Sequence, residues 1–300
     1  MAKGNRAAGP DGLAVVDKAA GWTSHDVVAK SRGLLGTRKV GHSGTLDPDA
    51  TGVLLLGVGK VTRLLKYLGL PAKTYTGVII LGSATSTLDA SGEVTGTWAM
   101  DDVIVDDVRR AAADLTGDIL QVPPMVSAIQ IDGKRLHELA REGIEVEREA
   151  RPVTVHAFTV GEPSEPGCYP IEVTCSSGTY IRSLAADVGT ALGGGAHLKD
   201  LRRTAIGSFT VDQAVALEAL TPEHLLTPAQ AMRGLASVTV DEPTAVDVGF
   251  GKVLERDRLG VSGDGPWPIL GPDGDLLAVY EPHRGTTAKP SVVLSTPNPS

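Results

Sequence analysis

The residues of this chain best suited to chemistry are concentrated at positions 41–52, GHSGTLDPDATG. This run holds one histidine, three hydroxyl residues, two carboxylates and three glycines. Pro48 restricts Asp47 to extended backbone angles, so the Asp47 carboxylate is held in place. An apolar segment follows at residues 53–58, and a loop that runs directly into a buried strand has a rigid base. Because two basic residues and a histidine precede Asp47, the setting favours an anionic substrate over a metal ion.

Two other interpretations of residues 41–52 compete with a catalytic loop. An Asp-Pro pair beside glycine is a common turn signature, so a purely structural turn fits the same residues. A phosphate-binding loop fits less well, because the run lacks the Gly-Lys-Ser/Thr ending of a P-loop and does not open a helix after a strand. On these residues alone, the catalytic loop and the structural turn both remain open.

The run at 41–52 resembles the catalytic motif of the tRNA pseudouridine synthase B (TruB-type) family. The other motifs occur in the family order: KAAGWTS (18–24), KTY (73–75), TSTLDASG (85–92), VPPMVSA (122–128), RPV (151–153), SSGTYIRSL (176–184) and AHLKDLRRT (196–204). The resemblance runs from residue 13 to residue 210 and is far more specific than any one motif. The chain departs from the family pattern at Ala19, where proline is usual, and at Asp49, where an apolar residue is common.

The resemblance implies a reaction in which the N1–C1′ bond of uridine breaks, the uracil turns, and C5 bonds to C1′. The base must be flipped out of the RNA for this to occur. The resemblance assigns the catalytic roles to Asp47 (carboxylate), Arg182 (its paired guanidinium) and Tyr75 (stacking on the base). It assigns substrate binding to His42, Lys18, Tyr180 and Leu201.

These residues have commoner roles when each is considered singly. Arginines such as Arg182 are mostly exposed helix charges, and a tyrosine beside an apolar strand, such as Tyr75, is more often packed in a core. Only their joint occurrence in family order favours the catalytic assignment. Asp49 adds a negative charge near Asp47, which would raise the pKa of Asp47 if both faced inward, so we expect Asp49 to point to solvent.

The expected partner is tRNA, bound at the T-arm stem-loop, with uridine 55 as the target. The net charge is -8, but residues 30–73 hold eight Lys/Arg against two Asp, a balance of +6, which predicts a phosphate-binding face. The resemblance implies no cofactor and no metal, and no His/Cys cluster has metal-ligand spacing. Two alternatives are a non-catalytic RNA-binding or tRNA-folding module, and a synthase that acts on ribosomal or messenger RNA.

Composition places the chain among soluble globular proteins, with 42% hydrophobic and 21% charged residues. The sequence contains no run of about 18 apolar residues, so no membrane span is expected. Residues 1–10 lack the apolar segment of a secretory signal, so a cytoplasmic location is expected. The two cysteines, Cys168 and Cys175, are too few for a disulfide framework. The oligomeric state is not predicted.

Periodicity predicts an α+β fold with a mixed, largely antiparallel sheet, because strands and helices mix without strict alternation. The predicted strands are 13–16, 75–81, 126–131, 153–160, 171–175 and 205–211. The predicted helices are 23–35, 61–68, 103–115, 135–141, 181–192 and 213–220. The resemblance implies a sheet of the pseudouridine synthase type.

The predicted domain boundaries follow a change of composition near residue 235, after which prolines and glycines separate short apolar runs. A turn at 271–274 between two such runs predicts a hairpin. We therefore predict a flexible tail (1–11), a catalytic domain (12–235), a small PUA-like β domain (236–295) and a second tail (296–300).

Overall fold

The computed structural model of the chain describes residues 9–127, 130–131, 134–136, 139, 142–144 and 146–295. The α-helices in this part of the chain are α1 (Ser24–Leu34), α2 (Leu65–Leu68), α3 (Val105–Asp114), α4 (Ile181–Ala191), α5 (Pro228–Ala231), α6 (Glu242–Gly249) and α7 (Arg256–Leu259). Short 3-10 turns occur at Gly59–Leu64, Val211–Gln213, Leu217–Ala219 and Pro222–His224. The strands are β1 (Gly12–Lys18), β2 (Val40–Ser43), β3 (Thr51–Val58), β4 (Lys73–Leu81), β5 (Ser83–Thr85), β6 (Val94–Thr97), β7 (Gly117–Gln121), β8 (Gln130–Ile131), β9 (Lys134–Arg135), β10 (Arg151–Val160), β11 (Cys168–Cys175), β12 (Ala196–Ile206), β13 (Phe209–Thr210), β14 (Val215–Ala216), β15 (Val238–Thr239), β16 (Leu254–Glu255), β17 (Trp267–Leu270), β18 (Leu276–Pro282) and β19 (Thr287–Val293).

A ten-stranded mixed sheet forms the centre of the molecule. Its strands lie in the order β14-β1-β3-β12-β4-β11-β10-β7, with β13 paired to β12 and β2 paired to β3. The pairs β1–β14 and β3–β12 are parallel, and the other pairs of this sheet are antiparallel. The predicted α+β fold with a mixed, largely antiparallel sheet is confirmed.

A second, five-stranded sheet is built from the C-terminal strands in the order β15-β17-β18-β19-β16. Strands β17 and β18 pair antiparallel around the turn at residues 271–274, which confirms the predicted hairpin. The exact boundary at residue 236 and the PUA-like character of this sheet stay predictions.

Strand β3 provides the rigid base expected under the 41–52 loop. Its side chains alternate between two apolar cores: Val53 and Leu55 pack in one core, and Leu54 and Leu56 pack in the other. All four side chains are 0% exposed. Because full burial of a Val or Leu side chain contributes about 1.5–3 kcal/mol, this strand is strongly anchored on both faces.

Two of the predicted helices, those at 23–35 and 181–192, are confirmed in position. Helix α1 begins after Thr23, whose hydroxyl accepts the backbone N–H of Asp26 at 3.1 Å, while the Asp26 carboxylate accepts the N–H of Thr23 at 3.0 Å. This reciprocal capping box satisfies two backbone donors that the first helical turn leaves free. Helix α4 begins at Ile181 and ends at Ala191, shortly before the glycines at residues 193–195.

Two predictions near the end of the large sheet are wrong. The helix predicted at 213–220 is replaced by β14 and a 3-10 turn, because Val215 pairs in parallel with Val16 on the free side of β1. The strand predicted at 205–211 is interrupted by a reversal at Gly207, whose φ of +53° suits glycine. The strand predicted at 126–131 and the helix predicted at 135–141 lie largely outside the described residues.

Candidate active site

Asp47 lies in the connection between β2 and β3, where the chain enters the core. Its neighbours Leu46 and Ala50 are 4% and 2% exposed, whereas the Asp47 side chain is 41% exposed. The loop ends at Gly52, whose φ is +101° and which passes so close to β12 that a Cβ would lie 2.1 Å from the carbonyl oxygen of Arg203. Packing on both sides of Asp47 therefore holds the loop in place, while the Asp47 carboxylate stays accessible. The last turn of the loop requires glycine.

Side chains from α1 and β1 hold the backbone on either side of Asp47. The Ser24 hydroxyl accepts the N–H of Leu46 at 3.0 Å. Lys18 Nζ donates to the carbonyl of Pro48 at 2.8 Å and uses its other donors on carbonyls of its own turn. Lys18 is 0% exposed, and burial lowers its pKa to about 8. This geometry makes Lys18 a support of the loop, and its predicted contact with substrate stays a prediction.

Arg182 lies in the first turn of α4 and pairs with Asp47. Its Nε lies 2.9 Å from Asp47 Oδ2 and 3.6 Å from Asp89 Oδ2. Its two terminal nitrogens donate to the carbonyls of Thr87 at 2.8 Å and Val126 at 2.9 Å. The side chain is 4% exposed, so Arg182 is not the exposed helix charge that its residue type favours. The planar fork of a guanidinium suits several acceptors at fixed directions.

The protonation of Asp47 is set by opposing effects. Burial raises the pKa of the Asp47 carboxyl, and the negative charge of Asp89 raises it further. The charge and hydrogen bond of Arg182 lower the same pKa, as does the charge of Lys18. Arg182 is therefore the main group that favours the ionised carboxylate.

The departure from the family pattern at Asp49 is tolerated because this residue is exposed, as expected. The like charge that raises the pKa of Asp47 comes from Asp89 instead. Asp89 is itself fixed, because its Oδ1 accepts the hydroxyls of Thr87 and Ser91, both at 2.6 Å. Ala19 is also exposed.

Tyr75 and Leu201 lie in the same apolar core that holds Leu46 beside the catalytic loop. Tyr75 is on β4 and is 8% exposed. Burial raises the pKa of its hydroxyl, so the ring is neutral at ordinary pH. Leu201 is partly buried and packs against this core. The structure thus brings both predicted residues to the region of Asp47, and their contact with a base stays a prediction.

His42 lies at the end of β2, on the approach to Asp47. Its ring stands edge-on to that of His25, with 5.3 Å between the centroids. Burial, followed by the charges of His25 and Arg203, lowers the pKa of His42, so the neutral ring is favoured. Its Nδ1 is buried and has no hydrogen-bond partner among the residues that the structure describes. The ring is therefore neutral and partly buried, and its predicted contact with substrate stays a prediction.

Tyr180 precedes α4 and is held through its backbone by Gln121. The Gln121 amide accepts the N–H of Tyr180 at 2.7 Å and donates to its carbonyl at 3.1 Å. Gln121 is 2% exposed. Because Arg182 is two residues further on, Gln121 fixes the start of the helix that delivers Arg182. The predicted role of the Tyr180 side chain stays a prediction.

Three side chains that support the site, Asp89, Gln121 and Arg203, were not among the predicted site residues. Asp89 was present in a family motif but carried no role. Gln121 follows an apolar run and has no charge or spacing that would draw attention. Arg203 is 1% exposed, whereas its position in a basic stretch suggests a side chain exposed to solvent.

The predicted basic face is smaller than the +6 balance of residues 30–73 implied. Arg63 donates to the carbonyl of Val293 at 2.5 Å, and Lys66 pairs with Glu281 at 3.0 Å, so both side chains face the C-terminal sheet. Lys73 is 4% exposed and donates to backbone carbonyls. Within residues 30–73, the exposed cations outside these contacts are Lys60 and a group on α1 and the turn after it, Lys30, Arg32, Arg38 and Lys39.

Within the described residues, no group of three or more His, Cys, Asp and Glu side chains is arranged to hold a metal ion. Among their helices, none has the length and apolar character needed to cross a membrane.

Comparison with known proteins places the whole arrangement in a family context. Residues 32–181 match the TruB family pseudouridylate synthase (N terminal domain), and residues 182–235 match the tRNA pseudouridylate synthase B C-terminal domain. The tRNA pseudouridine synthase B of Arthrobacter sp. (strain FB24) is 46% identical over 299 residues, covering 96% of this chain and 97% of its relative. That of Thermobifida fusca (strain YX) is 48% identical over 294 residues, covering 95% and 99%. The chain also aligns with a protein in a crystal structure of a Cbf5-Nop10-Gar1 complex, at 26% identity and a TM-score of 0.74, covering 96% of this chain and 84% of the other.

Proposed function

This chain belongs to the TruB family of pseudouridylate synthases, and from that premise we propose that it isomerises uridine 55 in the T arm of tRNA, with Asp47 as the reacting carboxylate. The reaction class is that of the family: uridine becomes pseudouridine within tRNA. The bond that breaks and the bond that forms lie in one nucleotide, so no electrons enter or leave.

The observation that carries the proposal is the pairing of Asp47 with Arg182 at 2.9 Å in an open loop. The guanidinium is buried, whereas the carboxylate is 41% exposed, so the cation is fixed and the anion remains accessible. A purely structural ion pair has no need of an accessible carboxylate on a loop anchored from β1, α1 and β12. The arrangement supports an oriented, ionised carboxylate that meets a substrate.

The surrounding residues support the remaining steps. The neutral Tyr75 ring would stack on the flipped base, an interaction worth roughly 1–3 kcal/mol. His42 would fill the space that the flipped nucleotide leaves, and Leu201 and Tyr180 would line the pocket. Asp47 then either attacks C1′ or assists elimination to a glycal, and both routes need the ionised form that Arg182 favours.

The test is to treat a T-arm stem-loop RNA with the protein and map pseudouridine by position. We expect modification at uridine 55 alone in the wild type, and a loss of at least about a thousandfold in Asp47→Asn, equivalent to about 4 kcal/mol of barrier. Asp49→Asn is the matched control, because it removes an exposed carboxylate from the same loop. We expect it to stay within about threefold of wild type.

Two results would contradict the proposal. If Asp47→Asn kept its rate within about tenfold of wild type, the carboxylate assignment would be wrong. If the T arm stayed unmodified while ribosomal or messenger RNA was modified, the substrate assignment would be wrong.

A tRNA substrate also supports a cytoplasmic location for the enzyme.

A further inference from the structure

Arg203 on β12 is a fully buried arginine that donates to backbone carbonyls of the catalytic loop and of β3. Its side chain is 1% exposed. Nη2 donates to the carbonyl of Gly44 at 2.9 Å, and Nη1 lies 3.4 Å from that of Thr45. Nε donates to the carbonyl of Val53 at 2.8 Å. One guanidinium therefore joins the residues before Asp47 to those after it.

The burial of this charge calls for a physical reason. Within the described part of the chain, no carboxylate lies within 4.0 Å of the Arg203 guanidinium, and its partners are backbone carbonyls and the side chain of Tyr75. Removing an arginine from water is costly unless its hydrogen bonds are satisfied. The Arg203 charge also acts on Lys73. Burial is the largest cause that lowers the pKa of Lys73 to about 8, and the Arg203 charge is the second. A methionine or leucine would fill the same space at lower cost if only packing were needed.

Arg203 also faces the strand that carries Tyr75. Arg203 and Tyr75 are direct partners in the pairing of β12 with β4. Burial raises the pKa of the Tyr75 hydroxyl, and the Arg203 charge opposes that shift. The loop that carries Asp47 and the strand that carries Tyr75 thus meet at one side chain. By contrast, the charges that act on Asp47 are those of Arg182, Asp89 and Lys18.

We propose that Arg203 is a positioning residue that clamps both ends of the Asp47 loop against the strand of Tyr75, and so fixes the distance between the reacting carboxylate and the stacking ring. This inference rests on the proposed function. It separates two tasks: Arg182 controls the charge and direction of Asp47, and Arg203 controls where the loop lies.

The clamp depends on the shape of the guanidinium as well as on its charge. Three nitrogens in one plane reach carbonyls on both sides of the loop, whereas lysine offers all its donors from one atom. Arg203→Lys would keep the buried cation and still lose one end of the clamp. A shift of about 1 Å in a reacting group can lower a rate on the order of a hundredfold.

The experiment compares Arg203→Lys with the wild type and with Arg109→Lys, in which an exposed arginine that also donates to a carbonyl is changed. Circular dichroism, T-arm RNA affinity and single-turnover rate against pH are measured for each. We expect Arg203→Lys to fold, to bind RNA within about threefold of wild type, and to react on the order of a hundredfold more slowly. The pH at which its rate is half-maximal should be that of the wild type, because Arg203 does not act on Asp47 directly.

Two outcomes would overturn the inference. A folded Arg203→Lys with a rate within about threefold of wild type would show that the clamp does not matter. A rate loss that only matches the loss of folded protein or of RNA affinity would make Arg203 a structural residue. Arg109→Lys should match the wild type in every measurement.

A measurement on the unaltered protein covers the case in which Arg203→Lys fails to fold. In protein labelled with ¹⁵N-arginine, the side-chain N–H signals of Arg203 should exchange with water far more slowly than those of Arg109. Equal exchange rates would refute the clamp. Wild-type turnover on the same RNA is measured in parallel: an inactive wild type refutes the proposed function, whereas an active wild type with an unaffected Arg203→Lys refutes only this inference.

Discussion

Replacement of Arg182 tests whether the Asp47–Arg182 pair sets both the geometry and the protonation of the catalytic carboxylate. In Arg182→Lys the cation remains, but one nitrogen cannot satisfy acceptors that now lie 2.8–2.9 Å from three separate nitrogens. In Arg182→Ala the cation is lost as well. The two variants therefore separate the effect of position from that of charge.

The size of the effect follows from the hydrogen bonds of Arg182. Each buried carbonyl left without a donor costs about 1–3 kcal/mol of folding free energy, and two carbonyls, those of Thr87 and Val126, depend on this side chain. Misplacement of Asp47 in Arg182→Lys should lower the single-turnover rate on the order of a hundredfold, about 3 kcal/mol of barrier. Arg182→Ala should lose at least a further tenfold.

The pH dependence has a definite sign. Asp47 acts in its ionised form, so the rate falls as the pH drops through the pKa of Asp47. Burial already raises that pKa, and Arg182 opposes the rise. In Arg182→Ala the pKa should rise further, so the acidic limb of the rate profile moves to higher pH. In Arg182→Lys the limb should stay closer to that of the wild type.

The assay is the single-turnover rate of pseudouridine formation in a T-arm RNA, measured against pH for the wild type and both variants. Urea unfolding of each protein separates lost stability from lost chemistry. Arg109→Ala is the control, because Arg109 is an exposed helical arginine in ion pairs with Asp106 and Glu162. If Arg182→Ala kept the rate and the pH profile of the wild type, the assigned pair would play no part in catalysis.

Two further predictions concern RNA affinity and the support of α4. RNA affinity should fall steeply with salt despite the net charge of -8. In a plot of the logarithm of the binding constant against that of the salt concentration, Arg38→Gln should reduce the slope by up to about 0.9 for each phosphate that the arginine neutralises. Arg63→Gln should leave this slope unchanged, because Arg63 bonds to the carbonyl of Val293. A flat salt dependence in the wild type, or equal changes of slope in both variants, would contradict the assignment of Arg38 to phosphate binding. Gln121→Leu should lower the free energy of unfolding by about 1–3 kcal/mol and slow turnover, because it frees the Tyr180 backbone at the start of α4. The control is Gln213→Leu, which changes an exposed glutamine and should leave the free energy of unfolding within about 0.5 kcal/mol of wild type. If Gln121→Leu had the stability and rate of the wild type, α4 would not depend on the hydrogen bonds between Gln121 and Tyr180.

Several features of this protein were determined by short stretches of sequence. The continuous apolar run of β3, the capping box at Thr23, and the hairpin around residues 271–274 each depend on neighbours within a few residues, so their physical causes can be read locally. The order and spacing of the motifs predicted the family and with it the candidate roles of Asp47, Tyr75 and Arg182. The family is confirmed, whereas the individual roles await the experiments above.

Only the tertiary structure decided which charged side chains support the site. Arg203 reaches the carbonyl of Gly44 across 159 positions of sequence, and Arg182 reaches that of Thr87 across 95. The same folding brings Arg63 to the carbonyl of Val293 and Lys66 to the carboxylate of Glu281, both in the C-terminal sheet. Local periodicity reports which face of a strand or helix is apolar, but not which distant backbone lies opposite a given side chain. The partners of a buried guanidinium are fixed by strand order and register, and these depend on contacts between distant parts of the chain.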